Sequence, residues 1–269
     1  MNDYRDKRRH YRGVLTVYGR KPVLEALADP GLACERLHLA TSNRREPTLE
    51  QILMLAAERG LEAREHSREA LARISRNGRQ DQGVALDIRC PRFAELDEGL
   101  AALAGQPSVR LLALDGVTNP QNAGMAIRSA RAGGIDGILY ADRGNPALGP
   151  LVIKGSAGTL YGAPLLRCAT VAEGAAACRD AGYVLYTLEA DAPRDLFSAT
   201  LAPRSLFVLG GETDGVSPAV AALASEALAV PMAEGVESLN VAVTAALVAY
   251  APRLAAGTPQ GNPGGPAPH

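Results

Sequence analysis

Tryptophan is absent from this chain of 269 residues, and cysteine and histidine number only four each. Cys34, Cys90, Cys168 and Cys178 form no CxxC pair, and His10, His38, His66 and His269 are scattered, so neither a disulfide framework nor a metal-ligand cluster is expected. Reduced, buried thiols and no metal are the expectation. No apolar run approaches the roughly 18 residues of a membrane span. The longest, Leu239 to Ala251, has 13 residues and is broken by Asn240 and Thr244. The first residues, MNDYRDKRRHYRG, lack the apolar core of a secretory leader, which points to a cytoplasmic protein with no membrane partner. GxGxxG, GxxxxGK[ST], GxSxG and HExxH are all missing, so dinucleotide-dependent redox, NTPase, serine hydrolase and zinc protease chemistry lose support. With 8 Tyr and 3 Phe as the only aromatics, nucleic-acid binding built on stacking platforms is weakened as well.

What is present is ordinary for a globular protein: 47% hydrophobic and 21% charged residues, enough for one large domain or two modest ones. The net charge of −1 argues on its face against a nucleic-acid partner, but the average hides an asymmetry. Through Arg92 the chain carries 18 Lys+Arg against 13 Asp+Glu; the remainder carries 10 against 16. Lys7, Lys21 and Lys154 are the only lysines. Arginine suits phosphate geometry, although a GC-rich coding sequence explains the bias better.

Five organisational segments are expected. Residues 1–12, with Arg5, Lys7, Arg8, Arg9 and Arg12, read as a flexible basic arm. From Val14 to about Cys90 short strands alternate with helices: a turn and helix over Tyr18–Leu27, a strand at Cys34–Ala40, helices at Thr48–Arg59 and Ser67–Ile74, and a closing strand at Val84–Ile88. This makes 13–90 a small α/β domain. Residues 91–107, bounded by Pro91 and Pro107 and holding an alanine-rich helical segment, suit a linker. Over 108–256, apolar strands at Val109–Leu114, Ile135–Tyr140, Leu165–Arg167, Tyr183–Leu188, Leu206–Leu209 and Leu228–Val230 alternate with helices at Ala123–Ala132, Val171–Ala181 and Leu239–Ala251. Alternation of this kind argues a parallel sheet covered on both faces. Residues 257–269, with their glycines and prolines, read as a disordered tail.

In parallel sheets ligands gather beyond the carboxyl ends of the strands, and three polar loops stand there. In Asp115-Gly-Val-Thr-Asn-Pro-Gln-Asn122, Asn122 is a good N-cap for a helix closed by Gly133-Gly134, and Arg128 and Arg131 share one face of it. The segment reads either as an ordinary strand-turn-helix or as a polar site in which Asn119 positions a hydroxyl and Arg128 holds a phosphate. In Val208-Leu-Gly-Gly-Glu-Thr-Asp-Gly215, the glycines permit close approach of a ligand or simply a tight turn beside Glu212. In Val230-Pro-Met-Ala-Glu-Gly-Val-Glu-Ser-Leu-Asn240, Ser238 could cap a helix that is apolar nearly all round except for Asn240, whose buried amide would need partners.

Taken in order, NPQNAGMAIRSARAGG, FVLGGETDG and VPMAEGVESLNVAV resemble the three signature motifs of the SpoU family of RNA ribose 2′-O-methyltransferases, within the knotted SPOUT class. VYGRKPVLEAL and RQDQGVALDI resemble the start and end of the L30e-like substrate-binding domain that many members carry upstream. The fold class implied is α/β: a C-terminal parallel-sheet SPOUT domain with a trefoil knot, plus a small N-terminal α/β L30e-like domain. The resemblance implies S-adenosylmethionine as cofactor, a homodimer, and transfer to a ribose 2′-hydroxyl of structured RNA, with 23S rRNA as the target and tRNA or an antibiotic-resistance site on rRNA as alternatives. A non-catalytic RNA-binding scaffold is the rival from another class. Position by position, the implied catalytic residues are Arg128, Asn119, Glu212, Ser238 and Asn240, and the implied cofactor-binding residues are Thr187, Leu188, Gly210, Val230, Met232 and Leu239. Lys154-Gly-Ser-Ala-Gly158 matches a further family segment near the RNA site. Val230 stands where Ile is usual, Gly211 where Ser or Ala often appears, and Thr213-Asp214 in place of a glycine-containing turn. Arginine stays protonated near neutrality, so Arg128 is expected to steady a developing alkoxide and its phosphate rather than to act as a base.

Overall fold

The computed structural model describes residues 13–234 and 236–255; the expected basic arm and the expected tail lie outside them. The chain opens with β1 (Val14–Tyr18), α1 (Arg20–Ala28), β2 (Ala33–Ala40), α2 (Pro47–Glu58), β3 (Ala63–His66), α3 (Arg68–Ser75) and β4 (Val84–Arg89). These strands form one sheet in the order β1-β4-β2-β3, with β4 antiparallel to both neighbours and β3 parallel to β2. α1 and α2 bury Val23, Leu27, Leu49 and Ile52. Ser67 caps α3 by accepting from the Ala70 amide.

A polar ladder crosses this sheet. Thr16 Oγ1 donates to Asp87 Oδ1 at 2.7 Å, the second carboxylate oxygen lies 3.0 Å from His38 Nε2, and His38 Nδ1 lies 2.9 Å from His66 Nε2. His38 and Asp87 are 5% and 8% exposed, so the ladder is part of the interior.

The second sheet follows with β5 (Ala94–Glu95), α4 (Leu96–Leu103), β6 (Val109–Asp115), α5 (Pro120–Ala132), β7 (Gly137–Ala141), α6 (Pro150–Gly155), a 3-10 turn at Thr159–Gly162, β8 (Leu165–Cys168), α7 (Val171–Asp180), β9 (Val184–Leu188), β10 (Arg204–Gly210), α8 (Pro218–Ala221), β11 (Glu226–Leu228) and α9 (Val241–Ala255). Its seven strands run in the order β11-β9-β10-β6-β7-β8-β5, every pairing parallel. The expected α/β class with a parallel C-terminal sheet is therefore what the chain adopts.

Both faces of this sheet are buried, as a parallel sheet requires. Along β6, Leu112 and Leu114 enter one core together with Ile127, Ala130, Ala245 and Val248 of α5 and α9. Val109, Leu111 and Ala113 enter the other with Val171, Ala175 and Cys178 of α7. The first core continues without a break into Val17, Leu37, Ile88 and Cys90 of the first sheet.

Several boundaries differ from expectation for identifiable reasons. The 91–107 stretch joins the two sheets and carries the expected helical segment as α4, but it also supplies β5, because Ala94 and Glu95 pair with Leu166 and Arg167 and Gly99 of α4 sits against Leu166 with no room for a β-carbon. α5 starts at Pro120 rather than Ala123, since proline at the first helical position needs no amide partner. β11 covers Glu226–Leu228 rather than Leu228–Val230: its partner β9 ends at Leu188, opposite Leu228, and Ala229 turns to bridge Asp195 instead. All four cysteines are free, but Cys34 and Cys168 are only partly buried. Burial pushes the thiols of Cys90, Cys168 and Cys178 up to about 12, which keeps them un-ionised.

Candidate functional site

The strand order locates the site. From β6 the chain runs outward through β7 and β8, then crosses to β9 and returns to β10, which lies directly against β6. The connections leaving β6 and β10 therefore diverge over one point of the sheet edge, the kind of crevice in which parallel sheets hold ligands. Gly210 and Asp115 are register partners, so the two loops start side by side.

These loops are joined through main chain. Asp115 Oδ2 accepts from the Ser217 amide at 2.7 Å. A β-carbon on Gly211 would fall 2.5 Å from the Gly116 carbonyl oxygen, and one on Gly210 would fall 2.1 Å from the carbonyl carbon of Gly215. Gly211 and Gly215 exchange two backbone hydrogen bonds of 3.1 and 3.0 Å around the Glu212-Thr-Asp turn. The paired glycines thus admit the protein's own backbone and make the tight turn that was one of the two readings the sequence allowed. Gly210→Ala should destabilise the chain by about 1–3 kcal/mol by forcing these backbones apart, which thermal unfolding of the variant beside the parent checks.

On that base three distant segments converge on one carboxylate. Glu212 Oε1 accepts from Asn122 Nδ2 on α5 and, at 3.3 Å, from Asn240 Nδ2 at the start of α9. Asn240 Nδ2 also reaches Asn122 Oδ1 at 3.2 Å, while its own Oδ1 accepts from the Ala242 amide at 2.9 Å. Asn240, not Ser238, caps the last helix. The expectation that Asn240 is buried is corrected too: it is exposed and Asn122 is the buried amide, 7% exposed.

The first loop reverses the expected roles of its two asparagines. Asn119 caps α5, its Oδ1 accepting from the amides of Gln121 and Asn122 at 2.9 and 3.3 Å. Asn122 is released from capping and turns to Glu212. It is the functional candidate that sequence reasoning missed; Pro120, which makes Asn119 the cap and leaves Asn122 free for another partner, was the available signal.

Arg128 lies on α5, exposed, and makes no hydrogen bond or ion pair among the described residues. Arg131 differs: its guanidinium donates to the Thr159 carbonyl at 2.8 Å. Ser238 is exposed in the irregular segment before α9 and is not drawn into the network around Glu212. Lys154 is exposed on α6, which is fixed to α5 by close main-chain contact: a β-carbon on Gly124 would meet the Val152 carbonyl at 2.3 Å.

Of the other expected binding residues, Thr187 and Leu188 end β9, and Val230, Met232 and Leu239 lie in the irregular segment between β11 and α9. Thr187, 1% exposed, donates its hydroxyl to Glu189 at 2.8 Å. Leu188, Met232 and Leu239 are half-buried apolar side chains packed on the main core, and Val230 is 9% exposed within it. The main-chain amides and carbonyls of Val230, Met232 and Leu239 have no hydrogen-bond partner among the described residues. An apolar bed with unpaired main-chain donors and acceptors suits a flat heteroaromatic ring with polar edges.

The SpoU rRNA Methylase family matches residues 110–250, and the family described as RNA 2′-O ribose methyltransferase substrate binding matches residues 16–94. An uncharacterized tRNA/rRNA methyltransferase of Mycobacterium avium is 31% identical over 233 residues, covering 87% of this chain and 75% of that protein. One from Mycobacterium leprae is also 31% identical, over 87% of this chain and 75% of its own length. Among solved structures, the SpoU methyltransferase AviRb from Streptomyces viridochromogenes, crystallised with AdoMet, superposes with a TM-score of 0.59 at 23% identity, covering 89% of each chain. A putative RNA methyltransferase of the TrmH family from Porphyromonas gingivalis superposes with a TM-score of 0.57 at 25% identity, covering 93% of this chain and 92% of that one.

Proposed function

The chain belongs to the SpoU rRNA methylase family, and on that premise we propose that it transfers a methyl group from S-adenosylmethionine to a ribose 2′-hydroxyl of structured RNA, with 23S rRNA as the target. The observation that carries the reading is the convergence of Asn122 and Asn240 on Glu212 beside the strand ends that leave main-chain groups unpaired. S-adenosylmethionine fits those strand ends. Val230, Met232 and Leu239 offer backbone partners to the adenine edge, Leu188 an apolar wall, and Gly210 the closely packed turn that fixes the neighbouring loop. The bound cofactor supplies a sulfonium-activated methyl, the electrophile of the reaction.

The residues of the chain then have separable tasks. Glu212 holds Asn122 and Asn240 and so locks three connections at one distance from the sheet edge. Asn119 fixes the direction of α5 by capping it, and α5 carries Arg128. Arg128, with no partner among the described residues, takes the phosphate beside the reacting ribose and stabilises charge developing on the 2′-oxygen. It cannot accept the hydroxyl proton, which passes to a phosphate oxygen or water. Ser238, exposed in the segment that leads into α9, is assigned to the polar groups that face the ribose. Holding nucleophile and donor in line is the main contribution asked of the protein.

The reading extends to architecture. Residues 13–90 act as the RNA substrate-binding domain, 91–107 join it to the catalytic part, and 108–256 are the methyltransferase domain, working in the cytoplasm as a homodimer. Met125 on α5 and Val243 on α9, exposed by 39% and 47%, support a covered face there. We infer that the chain after β11 is threaded through the β9–β10 connection as a trefoil knot. The bonds from Ala229 to Arg194 and from Leu196 to Ala229, of 2.7 and 2.9 Å, support that path.

The test is incubation of the purified protein with methyl-labelled S-adenosylmethionine and either 23S rRNA or bulk tRNA. Label in rRNA at a nucleotide whose 3′ phosphodiester resists alkali is the expected result. Label in tRNA alone would overturn the target, label at an alkali-sensitive position would overturn the ribose, and RNA binding with no transfer would leave a scaffold.

A further inference from the structure

We propose that a cleft on the first sheet, far in sequence from the methyl-transfer site, grips the phosphodiester backbone of the RNA through Arg44 and Arg68. The inference rests on RNA being the substrate, as proposed above. The cleft has a volume of about 490 Å³ and is lined by Arg20, Ser42, Asn43, Arg44, Glu46, Arg68 and Gln82. Three guanidinium groups face one carboxylate. Arg20 is paired with that carboxylate, Glu46, while its buried Nε has no partner. Arg44 and Arg68 are exposed and make no ion pair or hydrogen bond among the described residues. Two unpaired arginines lining the cleft with a neutralised third leave it net positive, so its ligand must be anionic, and planar guanidinium forks match phosphate oxygens.

The walls are built rather than incidental. Gln82 has a φ of 51°, a left-handed conformation uncommon for a residue with a side chain, and from it Gln82 Oε1 accepts from the Arg20 amide at 2.9 Å, closing the first turn of α1 where Gly19 supplies no cap. Asn43 Nδ2 is tied to the Gly83 carbonyl at 2.7 Å. The lining holds no aromatic side chain on which a base could stack, so the chemistry selects the sugar-phosphate chain and not a nucleobase.

Position connects the cleft to the reaction. Tyr18 precedes Gly19 at its edge; its hydroxyl accepts from Asn77 and rests against Gly149, where a β-carbon would lie 3.3 Å away, at the entry to α6. α6 packs on α5, the helix that carries Arg128. A strand of RNA lying in the cleft therefore borders the connections at the carboxyl ends of the second sheet.

Affinity of the full chain for a fluorescein-labelled rRNA hairpin, measured against salt concentration, tests this. The double variant Arg44→Ala, Arg68→Ala should weaken binding at least about tenfold at low salt and make the plot of log affinity against log salt shallower by about two, since each lost phosphate contact removes about 0.9 from the slope. Arg44→Lys with Arg68→Lys should restore most of the slope, because it restores charge. Glu46→Gln, which frees Arg20, should tighten binding and steepen the slope. S-adenosylmethionine affinity by calorimetry should be the same in all of them. An unchanged slope in the double alanine variant, or no effect of Glu46→Gln, would overturn the cleft. Neither result touches the methyl-transfer reading, which stands or falls on the labelled product.

Discussion

Replacing Arg128 by alanine should lower methyl transfer to RNA by two orders of magnitude or more while leaving the affinity for S-adenosylmethionine close to that of the parent. The expectation follows from the contrast between two arginines on one helix. Arg131 is already committed to the Thr159 carbonyl, whereas Arg128 is exposed and without a partner among the described residues. An arginine that holds nothing in the free protein contributes little to its stability, so alanine should not unfold the chain. If it stabilises charge developing on the reacting oxygen, its loss costs about 10²–10³ in rate, as for other single electrostatic donors. Single-turnover methylation with saturating RNA, set beside calorimetric titration of S-adenosylmethionine, separates the two effects. Near-normal turnover in Arg128→Ala would remove it from the reaction. Arg128→Lys should recover little, because an ammonium replaces a planar fork by a point charge.

The second large effect is on stability. Asp87→Ala should cost about 3 kcal/mol, the scale for removing one partner of a buried polar pair, and lower the melting temperature by roughly 10 °C. Asp87 accepts from Thr16 and contacts His38, which in turn meets His66, and the pair at the centre is almost wholly buried. Without the carboxylate, His38 keeps a ring nitrogen in the interior with nothing to bind. The same ladder fixes the acid response. Burial alone would raise the Asp87 carboxyl, but the hydrogen bonds from His38 and Thr16 outweigh it and hold it below its ordinary 3.8. Desolvation first, then His38 and Arg64, holds His66 below its ordinary 6.5. A depressed histidine means that the unfolded chain takes up a proton the folded chain refuses, so stability should begin to fall as pH drops below 6.5. A depressed carboxylate contributes stability above 3.8 that is lost as pH falls through the folded value, giving a second decline. Denaturant midpoints measured across this range should show both declines in the parent and only the first in Asp87→Asn. A midpoint flat between neutral pH and 5 would contradict the assignment to His66.

Much of this was legible beforehand because parallel strands buried on both faces leave short runs of Val, Leu and Ile that nothing else explains. β6, β7 and β10 fall where such runs stand. β3 escaped because Ala63-Arg-Glu-His66 has no apolar period; it is a strand only through its pairing with β2. α6 is too short to show a periodicity. In the crevice, Glu212 and Asn240 could be picked out as polar residues at strand or helix ends. What they bind could not, since the amide completing the group is 90 residues from Glu212 and 118 from Asn240. The exchange of Asn119 for Asn122 has a local cause: proline at the first helical position fixes the cap one residue before it, and a reading that weighs asparagines alone assigns the wrong one. The glycines at 210 and 211 were conspicuous, but which backbone approaches them depends on which strand lies alongside.

The Asn122, Glu212 and Asn240 group has a consequence for biosynthesis. Asn122 leaves the ribosome 118 residues before Asn240, a delay of roughly ten seconds at usual elongation rates. Glu212 follows Asn122 by 90 residues and Asn240 follows Glu212 by 28, so the first two members can meet only late in that interval and the third only at its end; until then the nascent polypeptide has no finished pocket to offer. Competence for the proposed reaction is acquired only as the last helix is released.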